Sequence, residues 1–332
     1  MDTYLITGGA GFIGSNFIKY LLSLQKDIVI INVDKLTYAG NLKNLKSVET
    51  QHNYTFIAQD ICSRENIKKI FSAYKPDYVV NFAAESHVDR SITDSEAFAR
   101  TNVLGTQILL QTSLDYNIKR YVQISTDEVY GPSLDGIYFT EQAFLNPCNP
   151  YAASKAGADM LVNSFYITYN LPVSITRCTN NYGPGQHHEK LIPMVIKCCL
   201  EGKKMPVYGD GKNIRDWVYV DDHCRAIQLI IEKGRPGEIY NIGAGNQMEN
   251  IEIVKLIIEK SRYIGKKYYG FDLNIDESLI EFVEDRKGHD KRYALNTDKL
   301  KNELGWTARM HFDEGLEQSI KWYMDNKPWL FN

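Results

Sequence analysis

The run Thr7-Gly8-Gly9-Ala10-Gly11-Phe12-Ile13-Gly14 follows the apolar segment Tyr4-Leu5-Ile6, placing Gly8, Gly11 and Gly14 at three-residue spacing on a strand-to-helix turn. Residues without a side chain let the backbone bend sharply, approach a pyrophosphate and pack the new helix against its strand, while the helix N-terminus offers free N–H donors and partial positive charge. The surroundings fit this reading. Phe12, Ile13, Phe17, Ile18, Leu21 and Leu22 make the next segment an amphipathic helix, and a second apolar strand, Ile28 to Val33, ends in Asp34, twenty residues after Gly14. An acid there can accept hydrogen bonds from both adenosine ribose hydroxyls and repel a 2′-phosphate, so the chain is expected to bind NAD rather than NADP. Lys35 adjoins that acid and either softens the repulsion or stands as a solvated surface lysine.

Apolar strand candidates at 3–7, 28–33, 54–57, 78–82, 120–125 and 172–177 alternate with helical periodicity, including a helix through Ala97, Thr101, Leu104, Ile108 and Leu109 and another from Pro150 to about Tyr169. That alternation predicts the α/β class, with a doubly wound parallel Rossmann sheet. After Arg177 the pattern loosens into Asn180-Asn181-Tyr182-Gly183-Pro184-Gly185, a helix from about Leu191 to Gly202 and a turn at Gly209-Asp210-Gly211. The expected organisation is an NAD-binding domain at 1–177 and 214–243, with a smaller mixed α/β C-terminal lobe for the substrate at 178–213 and 244–332. A chain of 332 residues with 44% hydrophobic content can bury both cores.

A formal net charge of −3 and a pI near 6.2 leave no overall basic surplus for nucleic acid, though a local basic pocket for a diphosphate remains open. No apolar run approaches the ~20 residues that span a bilayer, and no signal-peptide pattern opens the chain, so a soluble cytoplasmic protein is expected. Six cysteines without CxxC or metal-type spacing read as reduced thiols. His187-His188 beside Glu189 is not expected to hold a metal, because neighbouring loop residues rarely converge on one ion.

Tyr151 and Lys155 stand at i and i+4, on one helical face. A free phenol has a pKa of ~10, and a nearby ammonium together with a positive nicotinamide ring favours the phenolate, so Tyr151 is expected to take a proton from a sugar or alcohol hydroxyl. The segment Gln123 to Gly131 closes the fifth strand where ligands of this architecture bind, and it carries Thr126, Asp127 and Glu128. Hydride transfer alone needs no carboxylate pair, whereas moving protons at neighbouring carbons needs a separate acid and base. The alternative is an Asp that caps a turn beside a solvated Glu. Adjacent side chains usually point apart, so both can act only on a substrate that curves between them.

The segments GGAGFIGSN, AAESHVDRS, STDEVYG, YAASK, NNYGP, EKLIP, GDGKNIRDWVYVDDH and DRKGHDKRYA together resemble the dTDP-glucose 4,6-dehydratases, extended short-chain dehydrogenases of nucleotide-sugar metabolism, over nearly the whole chain. The resemblance implies transient oxidation at C4 of dTDP-glucose by NAD, loss of the C5 proton to Glu128, protonation of the departing C6 hydroxyl by Asp127, and return of hydride to C6. Tyr151, Lys155 and Thr126 would serve the C4 hydroxyl. It further implies cofactor contacts at Gly8, Gly11, Phe12, Ile13, Gly14, Asp34, Lys35, Leu36, Thr37, Asp60, Ile61, Phe82, Ala83, Ala84, Thr101, Tyr151, Lys155 and Asn181. Substrate contacts are implied at Ser86, Thr126, Asp127, Glu128, Asn180, Lys190, Leu191, Pro206, Tyr208, Arg215, Asn250 and His289. Arg215 would clamp the diphosphate through its planar fork, the competing reading being a surface salt bridge with Asp216. Residues 261–284 match the family pattern poorly. A homodimer joined by the helices containing 97–114 and 151–169 is also implied, as is a role in rhamnose-type deoxysugar synthesis. A sugar-nucleotide 4-epimerase, a 4,6-dehydratase for another sugar nucleotide and a non-catalytic NAD-binding regulator are the competing functions.

Overall fold

The structure, a computed structural model, describes residues 1–25 and 27–331; Lys26 and Asn332, the last residue of the expected second lobe, lie outside the described residues. Seven strands form one parallel sheet: β1 (Asp2–Thr7), β2 (Ile28–Asp34), β3 (Tyr54–Ala58), β4 (Tyr78–Asn81), β5 (Arg120–Thr126), β6 (Val173–Cys178) and β10 (Ile239–Ile242). Their spatial order is β10-β6-β5-β4-β1-β2-β3. Buried strands of this kind read as near-continuous apolar runs because helices cover both faces. Side chains alternate between those faces. Ile6, Val80 and Val122 pack with Phe17 and Leu21 of α1 (Phe12–Leu24) and Ile227 of α8 (Val220–Lys233). On the other side Leu5, Val79 and Tyr121 pack with Phe71 of α2 (Arg64–Tyr74), Leu109 of α5 (Thr106–Asp115) and Val162 of α6 (Pro150–Tyr169). Full burial of one such side chain contributes ~1.5–3 kcal/mol.

Between β4 and β5 the expected helix through Ala97, Thr101, Leu104, Ile108 and Leu109 is not one regular α-helix, and short helices precede it. α3 (Val88–Thr93) and α4 (Ser95–Phe98) are separate short helices, each with its own N-cap, at His87 and Asp94. Ala99–Gly105 then runs as π-helix into α5. The wider turn leaves Thr101 and Asn102 buried, and Asn102 brackets the 85 peptide through Glu85 N and O while donating to Ser154 of α6.

The remaining strands form two small sheets. β7 (Asn180–Tyr182), β9 (Ile214–Tyr219) and β11 (Gln247–Glu249) make one, in the order β11-β9-β7; β8 (Met205–Tyr208) pairs in parallel with β12 (Ile280–Val283) in the other. Within 214–243, therefore, β9 belongs to a small sheet, while α8 packs on α1 and β10 extends the large sheet beyond β6. Trp217 and Val207 share a core with α7 (Leu191–Glu201), α9 (Asn250–Tyr269) and α11 (Phe312–Asp325), built on Val195, Ile253, Ile257, Leu316 and Ile320. The 261–284 stretch completes α9 and, through β12, delivers residues 285–293 beside β8 and β9. α10 (Asp298–Leu304) packs on β10, and α12 (Lys327–Leu330) ends the described chain.

Candidate active site

The sheet reverses its order at β1 and β4, which opens a crevice at the carboxyl ends of the strands. A cavity of about 520 Å³ occupies it. Gly8 follows β1 with φ +68°, and a Cβ there would stand 2.5 Å from the Ala83 nitrogen. A Cβ on Gly14 would meet the Gly8 carbonyl at 2.5 Å, so both positions exclude any side chain. Gly11 caps α1 without a side-chain bond, leaving the first N–H groups to face an anion. This cradle fits a dinucleotide pyrophosphate.

Asp34 ends β2, and its oxygens accept from Ala10 N at 2.9 Å and Leu36 N at 2.8 Å. Burial raises its pKa, against the pull of those two bonds. The bonds aim the carboxylate at the crevice, where ribose hydroxyls would meet it. Lys35 is no free surface lysine: its ammonium donates to Thr101 at 3.2 Å and lies 3.5 Å from Glu85 and 3.9 Å from Asp60. Two acids thus offset the charge beside Asp34.

Every sequence-assigned residue lines the cavity except Leu36 and Asp60. Leu36 contributes only its N–H to Asp34, and Asp60 accepts from Cys62 N at 2.8 Å while facing Lys35. Gly8, Gly11, Phe12, Ile13, Gly14, Asp34, Lys35, Thr37, Ile61, Phe82, Ala83, Ala84, Thr101 and Asn181 line the cavity together with the catalytic candidates. Ser86, Asn180, Lys190, Leu191, Pro206, Tyr208, Arg215, Asn250 and His289 extend the wall toward the C-terminal elements. Lys190 donates to the Ser86 carbonyl at 3.1 Å, tying the start of α7 to the loop after β4.

After Thr126 the strand turns into one turn of 3₁₀-helix, Asp127–Tyr130. Three residues per turn set neighbouring side chains about 120° apart rather than on opposite faces, so Asp127 and Glu128 both reach the cavity. Asp127 is 3% exposed; one oxygen accepts from the Thr126 hydroxyl at 3.2 Å, and the other has no partner among the described residues. Burial, then the neighbouring charge of Glu128, pushes its pKa up to about 8, against Arg215. Glu128 accepts from Asn149 Nδ2 at 3.2 Å, and the Asn149 oxygen caps α6 by accepting from Ala152 N at 2.8 Å.

α6 carries Tyr151 and Lys155 into the same space. Lys155 is buried, and its ammonium donates to the Ile124 carbonyl. Burial lowers its pKa; Asp159, one turn further on, opposes this. For Tyr151, burial and then Glu128's charge hold the phenol well above its ordinary value, with only the Thr126 hydroxyl notable in the other direction. The expectation that Lys155 lowers the phenol is therefore corrected for the protein's own groups: the ammonium is engaged at Ile124, and desolvation is the larger effect.

Arg215 makes no ion pair with Asp216 among the described residues. Its guanidinium donates to the carbonyls of Ile214 and Asp290 at 2.7 and 2.8 Å and lies 4.4 Å from the centroid of the Tyr293 ring, while Asp216 turns to Ala244 N. His289 pairs with Asp285 at 2.6 Å, and burial lowers its pKa. Ser125, Arg286 and Tyr293 also line the cavity and were not singled out from the sequence. Tyr293 stood inside the DRKGHDKRYA segment, but only the fold stacks it on Arg215.

A family model described as GDP-mannose 4,6 dehydratase matches residues 5–319. A protein of Sinorhizobium fredii described as a probable dTDP-glucose 4,6-dehydratase is 48% identical, covering 98% of this chain and 93% of its own. Among solved structures, DesIV from Streptomyces venezuelae, described as dTDP-glucose 4,6-dehydratase with NAD and TYD bound, superposes with a TM-score of 0.92 at 44% identity over 98% of both chains. A UDP-glucose 4-epimerase from Thermotoga maritima with UDP-glucose is more distant, with a TM-score of 0.87 at 30% identity over 98% and 99% of the chains. By these matches and by the motifs that first suggested it, the chain belongs to the GDP-mannose 4,6 dehydratase family and, within it, to the dTDP-glucose 4,6-dehydratases.

Proposed function

We propose that this protein is an NAD-dependent hydro-lyase that converts dTDP-glucose to dTDP-4-keto-6-deoxyglucose and water. The observation that carries the reading is the placement of Asp127 and Glu128 in one cavity with Thr126 and Tyr151. Held by the glycine turn and Asp34, NAD would supply a positive ring beside Tyr151 and a reversible two-electron oxidation, taken at the sugar C4 and returned at C6. Tyr151 accepts the proton of the C4 hydroxyl, Thr126 holds that hydroxyl, and Lys155, anchored on the Ile124 carbonyl, keeps a positive charge on the same helical face. The C4 ketone acidifies C5–H; Glu128 removes that proton and, as hydride reaches C6, returns a solvent-exchanged proton to C5. Asp127, kept protonated at neutral pH by its raised pKa of about 8, delivers its proton to the departing C6 hydroxyl. Arg215, held by three backbone carbonyls and Tyr293, has donors left to bind the diphosphate.

An epimerase reading accounts for the glycines, Tyr151 and Lys155 but leaves both carboxylates without chemistry, and a regulator leaves the whole set unused. Incubation with dTDP-glucose in deuterated water separates these functions: the dehydratase loses water and incorporates one deuterium at C5, whereas an epimerised product of unchanged mass contradicts it.

The product suits synthesis of rhamnose-type deoxysugars. We place the protein in the cytoplasm, in keeping with six free cysteines; no described helix is long and apolar enough to cross a membrane. The homodimer reading is supported by exposed apolar side chains on two elements packed together, Met160 and Ile167 on α6 and Leu104 on the π-helix.

A further inference from the structure

The C-terminal end of the described chain reaches back to the glycine turn. The Trp329 indole N–H of α12 donates to Asn44 Oδ1 at 2.8 Å. That bond fixes the orientation of the Asn44 amide, whose nitrogen donates to the Ala10 carbonyl at 3.1 Å. Ala10 N in turn donates to Asp34 Oδ2 at 2.9 Å. Three hydrogen bonds in series therefore join Trp329 to the carboxylate placed at the adenosine ribose. Asn44 itself sits in the 3₁₀ turn Leu42–Leu45, and the neighbouring Asn41 N also donates to the Ala10 carbonyl, at 3.0 Å.

A second tie runs in parallel. Trp329 packs against Trp322 and Tyr323 of α11, with ring centroids 5.2 and 6.0 Å away. The Tyr323 hydroxyl accepts from Gln186 N and lies within 3.1 Å of the Gly183 carbonyl. The loop it holds is bound to the first turns of α1 through Asn16 Nδ2 and the Pro184 carbonyl, at 3.0 Å. Both ties end on the elements that would cradle the pyrophosphate and ribose.

We infer that Trp329 is a positioning residue for the cofactor: the C-terminal helix latches the glycine turn through Asn44 and slows release of NAD. A reaction that oxidises and then reduces the same sugar needs a cofactor that stays in place between the two halves, and a latch on the turn serves that need without touching the sugar. Ala10 sits between the glycines that must hold their shape and the acid that must hold its aim, so a bond to its carbonyl restrains both. The inference rests on NAD binding, not on the sugar chemistry.

The test is the rate of NAD release from NAD-loaded protein, without sugar, followed by trapping the freed dinucleotide with a scavenging dehydrogenase. Trp329→Phe keeps the ring and deletes the N–H; release is expected to accelerate about three- to tenfold, the size of one neutral hydrogen bond. Asn44→Ala removes both arms of the link and is expected to accelerate release at least as much, which keeps the test intact should the tryptophan variant fold poorly. Trp322→Phe alters the same aromatic stack without a bond to Asn44 and is expected to leave release unchanged. Unchanged release in both Trp329→Phe and Asn44→Ala overturns the latch. So does equal acceleration in Trp322→Phe, which would assign the effect to packing alone. Because no sugar is present, failure here leaves the dehydratase reading untouched, and failure of that reading leaves the latch testable.

Discussion

Asn149 Nδ2 donates to Glu128 Oε2 at 3.2 Å while the Asn149 oxygen caps the helix that carries Tyr151 and Lys155. One amide thus sets the spacing between the proposed C5 base and the group proposed to act at C4. Asn149→Asp separates the two duties. The carboxylate still caps α6, so unfolding free energy is expected to stay within about 1 kcal/mol, but the donor is lost and a negative charge faces Glu128. Elimination is expected to slow roughly tenfold or more with C4 oxidation less affected, as single-turnover kinetics would read. Asn149→Ala is expected to lose about 1 kcal/mol in denaturant unfolding as well.

Asp127 gives a pH dependence with a defined sign. With a pKa of about 8 in place of 3.8, its carboxyl is protonated in the folded protein at neutral pH and ionises as pH rises. Elimination is therefore expected to fall above about pH 8, as the acid is lost. For stability the folded state binds more protons than the unfolded state between the two values, so this group contributes less and less as pH rises from 3.8 toward about 8. Asp127→Asn removes that titration. The variant is expected to be nearly inactive, yet its unfolding free energy relative to the unmodified protein should increase with pH across that window, as urea melts at successive pH values would show.

How much of this could be read from the chain follows from where the information lies. The large sheet was legible because its strands are buried on both faces and read as uninterrupted apolar runs, and the glycine turn because its spacing is set by contacts within a few residues. The division of 88–115 into short helices and a π-helix was not, since apolar spacing does not record which carbonyl each N–H selects. Nor was the stacking of Tyr293 on Arg215, which joins residues far apart through β12 and the loop after it. The upward shift of Tyr151 in the protein alone was not legible because sequence spacing shows the ammonium four residues away but not the burial that raises the phenol.

Asp34 is expected to govern the choice of dinucleotide. Asp34→Asn retains one acceptor for Ala10 or Leu36 but loses the charge. Binding titrations are expected to show NAD affinity down about tenfold or more, in line with loss of a charged hydrogen bond, and a narrowed preference over NADP. An unchanged ratio would remove Asp34 from the ribose site.

Tyr151→Phe is expected to fail at the first step. With the phenol gone, C4 oxidation should slow about 10²- to 10⁴-fold, so mixing with dTDP-glucose should produce no rapid rise in reduced-nicotinamide absorbance. A rapid rise would move the C4 base elsewhere in the cavity.

The paired-carboxylate assignment is tested most directly by Glu128→Gln, loaded with NAD and mixed rapidly with dTDP-glucose. Oxidation at C4 should proceed and proton removal at C5 should not, so reduced-nicotinamide absorbance is expected to rise and persist without release of product. Full turnover at the unmodified rate, with the absorbance returning to baseline, would contradict it.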